Sequence, residues 1–137
     1  MSIILASIAI LGAAFTRLVP EDGISKAFTL RGEGANAVVK ASEELNFMMY
    51  GTYTKITGHV ASHADNQAAA RFTFRILAGG KEIFSRANMK GSDVPQLIAV
   101  DIPGDTHWIK FTFTPDDESE ASKSAKGVWK QTEMIAE

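Results

Sequence analysis

Cysteine is absent from the 137-residue sequence. That excludes a disulfide framework, a thiolate metal site and a cysteine nucleophile. It leaves the compartment open, because a chain of this length can bury a core large enough to fold without cross-links. Charge of one sign is also missing: 14 basic and 16 acidic residues give a net charge of −2. A phosphate backbone needs a basic face, so nucleic acid is excluded as the main partner. No apolar run reaches the ~20 residues of a spanning helix, which argues against a membrane protein. Catalytic motifs are lacking too. No serine lies in a Gly-x-Ser-x-Gly nucleophile elbow. His59, His63 and His107 do not have the spacing of metal ligands, and ordinary surface positions are expected for them. With no internal repeat and no linker, the expectation is one domain over residues 1–137 and no enzymatic activity.

What is present is bulky and apolar: 45% hydrophobic residues, with eight Phe, two Trp and two Tyr. From residue 26 onward the apolar positions recur with period two, the mark of half-buried strands. Short strands are expected at 27–30 and 37–39. Leu45, Phe47 and Met49 then alternate with Asn46, Met48 and Tyr50 up to a Gly51-Thr52 turn. The stretch 53–61 sets Ile56, Gly58 and Val60 against Lys55, Thr57 and His59. After a polar loop at 63–67, Phe72, Phe74 and Ile76 face away from Arg71, Thr73 and Arg75. Ala78-Gly79-Gly80-Lys81 is a hairpin turn whose glycines supply positive φ, followed by a short strand Glu82-Ile83-Phe84. Beyond the Gly91-Ser92-Asp93-Val94-Pro95 loop, Ile98, Val100 and Ile102 alternate. Pro103-Gly104-Asp105 turns the chain into a strand with Ile109, Phe111 and Phe113 on one face and Trp108, Lys110 and Thr112 on the other. A polar loop at 115–126 precedes a last strand at 128–135. About eight to ten strands with turns every ~8–12 residues indicate an all-β, two-sheet antiparallel β-sandwich, jelly-roll-like in outline. Its expected core is Ile56, Val60, Phe72, Phe74, Ile76, Ile98, Val100, Ile109, Phe111 and Phe113.

The first 25 residues stand apart. Residues 3–15 are apolar except for Ser7 and Gly12. Gly12-Ala13-Ala14 would suit a signal-peptide cleavage site, yet no Lys or Arg precedes the run. The preferred reading is structural: a first strand, or an arm that packs on a neighbouring subunit, because such an aliphatic segment left in water invites aggregation.

In order and spacing, residues 53–129 resemble the NPCBM family of carbohydrate-binding modules, related to carbohydrate-binding module family 51. The matching features are an opening Tyr53-Thr54-Lys55-Ile56 strand and the run Arg71-Phe72-Thr73-Phe74-Arg75-Ile76. They continue with the hairpin Gly80-Lys81-Glu82-Ile83-Phe84, the Gly91-Ser92-Asp93-Val94-Pro95 loop with its hydrophobic strand, and a late Trp129. The resemblance implies a β-sandwich that binds a glycan or a surface without catalysis, with Trp129 in the core. Family members often carry Gly-Thr-His where this chain has Gly34-Ala35-Asn36, and Asp-His-Ala-Asp where it has Ser124-Ala125-Lys126-Gly127-Val128. Those positions help form the family's ligand and calcium sites, so the resemblance carries the fold further than it carries either site.

Candidate ligand or partner contacts are Trp108, His107, Tyr50 and Tyr53, since an aromatic face offers broad apolar contact to the C–H face of a pyranose. Trp108 leads them: it falls on the polar strand face, beside His107 and a turn. Asp116, Asp117 and Glu118, with Glu120, form the kind of carboxylate cluster that calcium takes. The run lacks the glycine and the alternating spacing of a preformed calcium loop, and Lys123 and Lys126 partly neutralise it. A solvated, metal-free loop is expected, and no cofactor. Two functions from different classes follow. One is a non-catalytic module for glycan or surface recognition. The alternative is a structural subunit of a large assembly, such as a virion decoration or tail protein or a surface filament, self-associating through its apolar N-terminus. Either would act outside the cell, at a cell surface or on a virion.

Overall fold

The side chains assigned to the core by their alternation meet between two sheets. Ile56, Val60, Phe72, Phe74, Ile76, Ile98, Ile109, Phe111 and Phe113 are buried, and Val100 is partly buried against them. The computed structural model describes residues 8–9, 14–18, 27–30, 36–48 and 53–136. In chain order the strands are β1 (Ile8–Ala9), β2 (Ala14–Leu18), β3 (Ala27–Thr29), β4 (Asn36–Lys40), β5 (Glu44–Met48), β6 (Lys55–Ser62), β7 (Arg71–Ala78), β8 (Lys81–Lys90), β9 (Gln96–Asp101), β10 (Trp108–Pro115) and β11 (Lys126–Ile135). One helical turn, α1 (Glu120–Lys123), lies before β11. The first sheet runs β1-β2-β5-β10-β7-β8; the second runs β3-β11-β6-β9, with β4 also paired to β11. The pairings are antiparallel except β2 with β5. The chain is thus an all-β sandwich. Of the segment 1–25, only β1 and β2 are described, at the edge of the first sheet. The rest of that segment and the Gly51-Thr52 turn lie outside the described residues.

Aromatic rings lock the two layers together. Trp129 of the second sheet meets Phe74 at 5.1 Å and Phe111 at 5.0 Å between ring centroids, both edge-on. Phe113 lies 5.0 Å from both Phe72 and Phe74, and Phe47 packs edge-on to Phe111 at 5.6 Å. Each such side chain contributes about 1.5–3 kcal/mol through burial, with ~0.5–1.5 kcal/mol more for a well-placed aromatic pair. Gly127 makes this closeness between the layers possible, and Gly58 permits a close approach within the second sheet. A Cβ on Gly127 would stand 2.5 Å from the Phe113 ring. At Gly58, with φ of 149°, a Cβ would stand 2.6 Å from the Cα of Thr132, where β11 bulges between Lys130 and Glu133.

Two elements differ from the sequence expectation. The return strand after the Gly79-Gly80 turn extends over ten residues rather than three. It is an edge strand, held by backbone pairing to β7, and most of its side chains are exposed, so no alternation marks it. The acidic stretch is not a plain loop either. Ser119 caps α1 by accepting from the backbone N–H of Ser122 at 3.2 Å. Asp116 accepts from Thr73 Oγ1 at 2.6 Å and from the backbone N–H of Asn88 at 3.2 Å, which ties the stretch to β7 and β8.

Candidate functional site

The antiparallel register of β7 and β10 sets Ala78 opposite Ile109. The β7–β8 hairpin turn and the β9–β10 connection therefore reach the same end of the sandwich. Gly79 N–H donates to the Trp108 carbonyl at 2.9 Å and fastens the two together, while Thr106 N–H donates to the Pro103 carbonyl at 3.1 Å and closes the second turn. Between them opens a cleft of about 480 Å³, a volume ordinary for a small-molecule site (~300–1,000 Å³). Ala78, Gly79 and Lys81 of the hairpin form one side; Pro103, Asp105 and Thr106 form the other. His107 and Trp108 complete it.

Trp108 is half-buried and His107 exposed. Ile109 points into the core, so Trp108, one residue earlier, points out. The Lys110 ammonium lies 5.5 Å from the centroid of the Trp108 ring and 3.6 Å from Glu44 Oε1. Among the described residues, the side chains of Lys81, Asp105 and His107 make no hydrogen bond or ion pair. The cleft thus presents one indole beside a cation with three donors, a carboxylate acceptor and an imidazole able both to donate and to accept. Such a set suits a ligand with an apolar ring face and several hydroxyls. It holds no arrangement of nucleophile and base.

Of the contacts expected from sequence, Trp108 and His107 are brought together here. Tyr53 is not: it is 3% exposed and belongs to the core. It stands just before β6, where the chain has not yet entered the alternating pattern that would have fixed its direction. Tyr50 lies outside the described residues. Lys81, Asp105 and Thr106 were readable only as turn residues, because the cleft forms from segments over twenty positions apart. The acidic run is occupied with local structure. Asp117 accepts from Ser119 Oγ at 2.6 Å and from its N–H at 3.0 Å. The Ser119 hydroxyl first, with Ser122, holds the Asp117 carboxyl below its ordinary range. Glu118 is exposed. Among the described residues no cluster of three or more His, Asp or Glu is placed to hold a metal ion. At the opposite end, His63 Nδ1 accepts from Asp65 N–H at 3.0 Å, and Asn66 bridges Ser62 and the backbone of Lys126, closing the β6–β7 loop.

The sequence model of the NPCBM/NEW2 domain family matches residues 32–134. Among solved structures, that of the CBM51-2 and INT domains of Clostridium perfringens ZmpB superposes with a TM-score of 0.63 at 13% identity, over 74% of this chain and 22% of that one. The tandem CBM51 modules of a family 98 glycoside hydrolase from Streptococcus pneumoniae give 0.59 at 19% identity, over 74% and 31%. The CBM51 of Clostridium perfringens GH95, in complex with methyl-galactose, gives 0.58 at 13% identity, over 82% and 96%. At these identities the likeness is one of fold. The chain spans under a third of the first two of these relatives. Among proteins of curated function, none matches.

Proposed function

Because the chain belongs to the NPCBM/NEW2 domain family, we propose that it is a non-catalytic carbohydrate-binding module whose sugar docks in the cleft at Trp108. The observation that carries this reading is the meeting of a half-buried indole with Lys81, Asp105 and His107 in one concavity. A pyranose laid against the free face of the indole buries its C–H face, while its hydroxyls exchange water for the carboxylate, the ammonium and the imidazole. Such bonds are net favourable by only ~0.5–1.5 kcal/mol each, rising to ~1.5–3 where one partner is charged. An open cleft with one platform therefore supports a dissociation constant on the order of 1 mM for a single sugar, about −4 kcal/mol.

Two of the structural relatives carry their modules beside further domains, and this module would likewise work by holding an attached or associated activity near extracellular or cell-surface glycans. The reading needs no metal: Asp116 is tied to Thr73 and Asn88, and one oxygen of Asp117 to Ser119. No relative found supports a virion or filament subunit. Titrating the chain with short oligosaccharides at concentrations above the ~1 mM expected for a single sugar tests the reading: a saturating response to at least one is expected, and no response to any overturns it.

A further inference from the structure

We infer that Lys110, steadied by Glu44, closes one face of Trp108 and sets the cleft against cationic ligands, so that the sugar it takes is neutral or acidic and not a free amino sugar. The inference rests on the cleft being a sugar site, and adds a charge rule to it. Trp108, Lys110 and Thr112 follow one another on the outer face of β10, with Met48, Asn46 and Glu44 opposite them on β5. Glu44 is thus four positions along from the partner of Trp108, ~13 Å at strand rise. The ammonium reaches toward the ring, at 5.5 Å from its centroid, while the carboxylate at 3.6 Å holds it from the far side.

This has two consequences. A ring face within ~6 Å of an ammonium is already taken as a cation–π acceptor, so a ligand is left with the other face and cannot be sandwiched. A ligand ammonium stacked there would meet Lys110 through the thickness of the indole and Lys81 along the cleft wall, with Asp105 as the one carboxylate lining the cleft. Without Lys110, a tryptophan beside a carboxylate would instead suit a cation. Lys110 thus already holds the place on the ring that a ligand's cation would take.

The charge at the ring is measurable without any sugar. Trp129 is fully buried, so dissolved quenchers report on Trp108. At matched ionic strength, the iodide-to-caesium quenching ratio is expected to exceed that of free N-acetyltryptophanamide, which carries the intrinsic efficiencies of the two ions; Lys110→Met should lower the ratio at least two-fold, and Lys110→Arg, which keeps the cation, should retain it. Lys110 is on the solvent side of β10, 30% exposed, so neither change should prevent folding. With ligand, galactosamine at pH 6.5 should bind about three- to ten-fold more weakly than N-acetylgalactosamine, and Lys110→Met should close the gap. A ratio no higher than that of the free indole, or one unmoved by Lys110→Met, overturns the charge rule and leaves the sugar site standing. The absence of any response to the titrated oligosaccharides fells the sugar site, while the quenching pair still decides what charge faces the ring.

Discussion

The two tryptophans show how one residue type takes opposite parts. Trp129 has no exposed surface and touches Phe74 and Phe111 across the sandwich. Trp108 is half-buried at the rim of a cleft. Truncating Trp129 to Ala removes a full ring from a close-packed layer and should cost about 3–5 kcal/mol, lowering the thermal midpoint sharply. Trp108→Ala should leave the midpoint within a few degrees, because its removal opens no internal cavity; a large drop would place Trp108 in the core instead. The carboxylates divide in the same way. Asp116 is engaged by Thr73 and Asn88, Asp117 by Ser119, and millimolar calcium is expected to leave the melting temperature unchanged. A calcium-dependent rise that vanishes in Asp116→Ala would show that the stretch is a metal loop.

At the scale of elements, burial on one face explains what could be read from the sequence. In β7 and β10 the apolar residues alternate because one face meets the core, and Phe72, Phe74, Ile76, Ile109, Phe111 and Phe113 were identified correctly, whereas Thr73 and Thr112, expected to face solvent, are buried too. β8 escaped notice beyond its first residues because an edge strand with solvent on most sides imposes no pattern. α1 is four residues long, too short for a helical period to register. The same logic governs the cleft. Trp108 was legible because a large aromatic on a polar strand face is anomalous, and His107 because it sits beside it. Lys81 and Asp105 were not, because only the β7–β10 register brings their two turns together. Packing at this scale is tight enough to test with one methyl group. Gly127→Ala would push a Cβ to 2.5 Å from the Phe113 ring and should destabilise by about 1–3 kcal/mol, read as a lower denaturation midpoint at constant slope. An unchanged midpoint would mean that the layers at Phe74 and Phe113 are looser than described.

At the scale of the whole molecule, the sandwich keeps its apolar weight between the sheets and leaves function to its ends. One end is closed by the His63, Asp65, Asn66 and Lys126 cluster, whose polar atoms are largely spent on one another. The other end is open, and its polar side chains at Lys81, Asp105 and His107 are uncommitted among the described residues. The near balance of charge, −2 overall, gives no long-range field to steer a polyanion, so the proposed recognition would rest on this local geometry. The most direct test is to map a bound sugar on the backbone amides. With a glycan retained by the chain, titration followed by heteronuclear NMR should shift the amides of Gly79, Lys81 and residues 105–110 together, on one binding curve, and shift nothing comparable elsewhere. Shifts gathered instead around residues 62–66 and 124–126 would move the site to the opposite end and contradict the assignment of the cleft at Trp108.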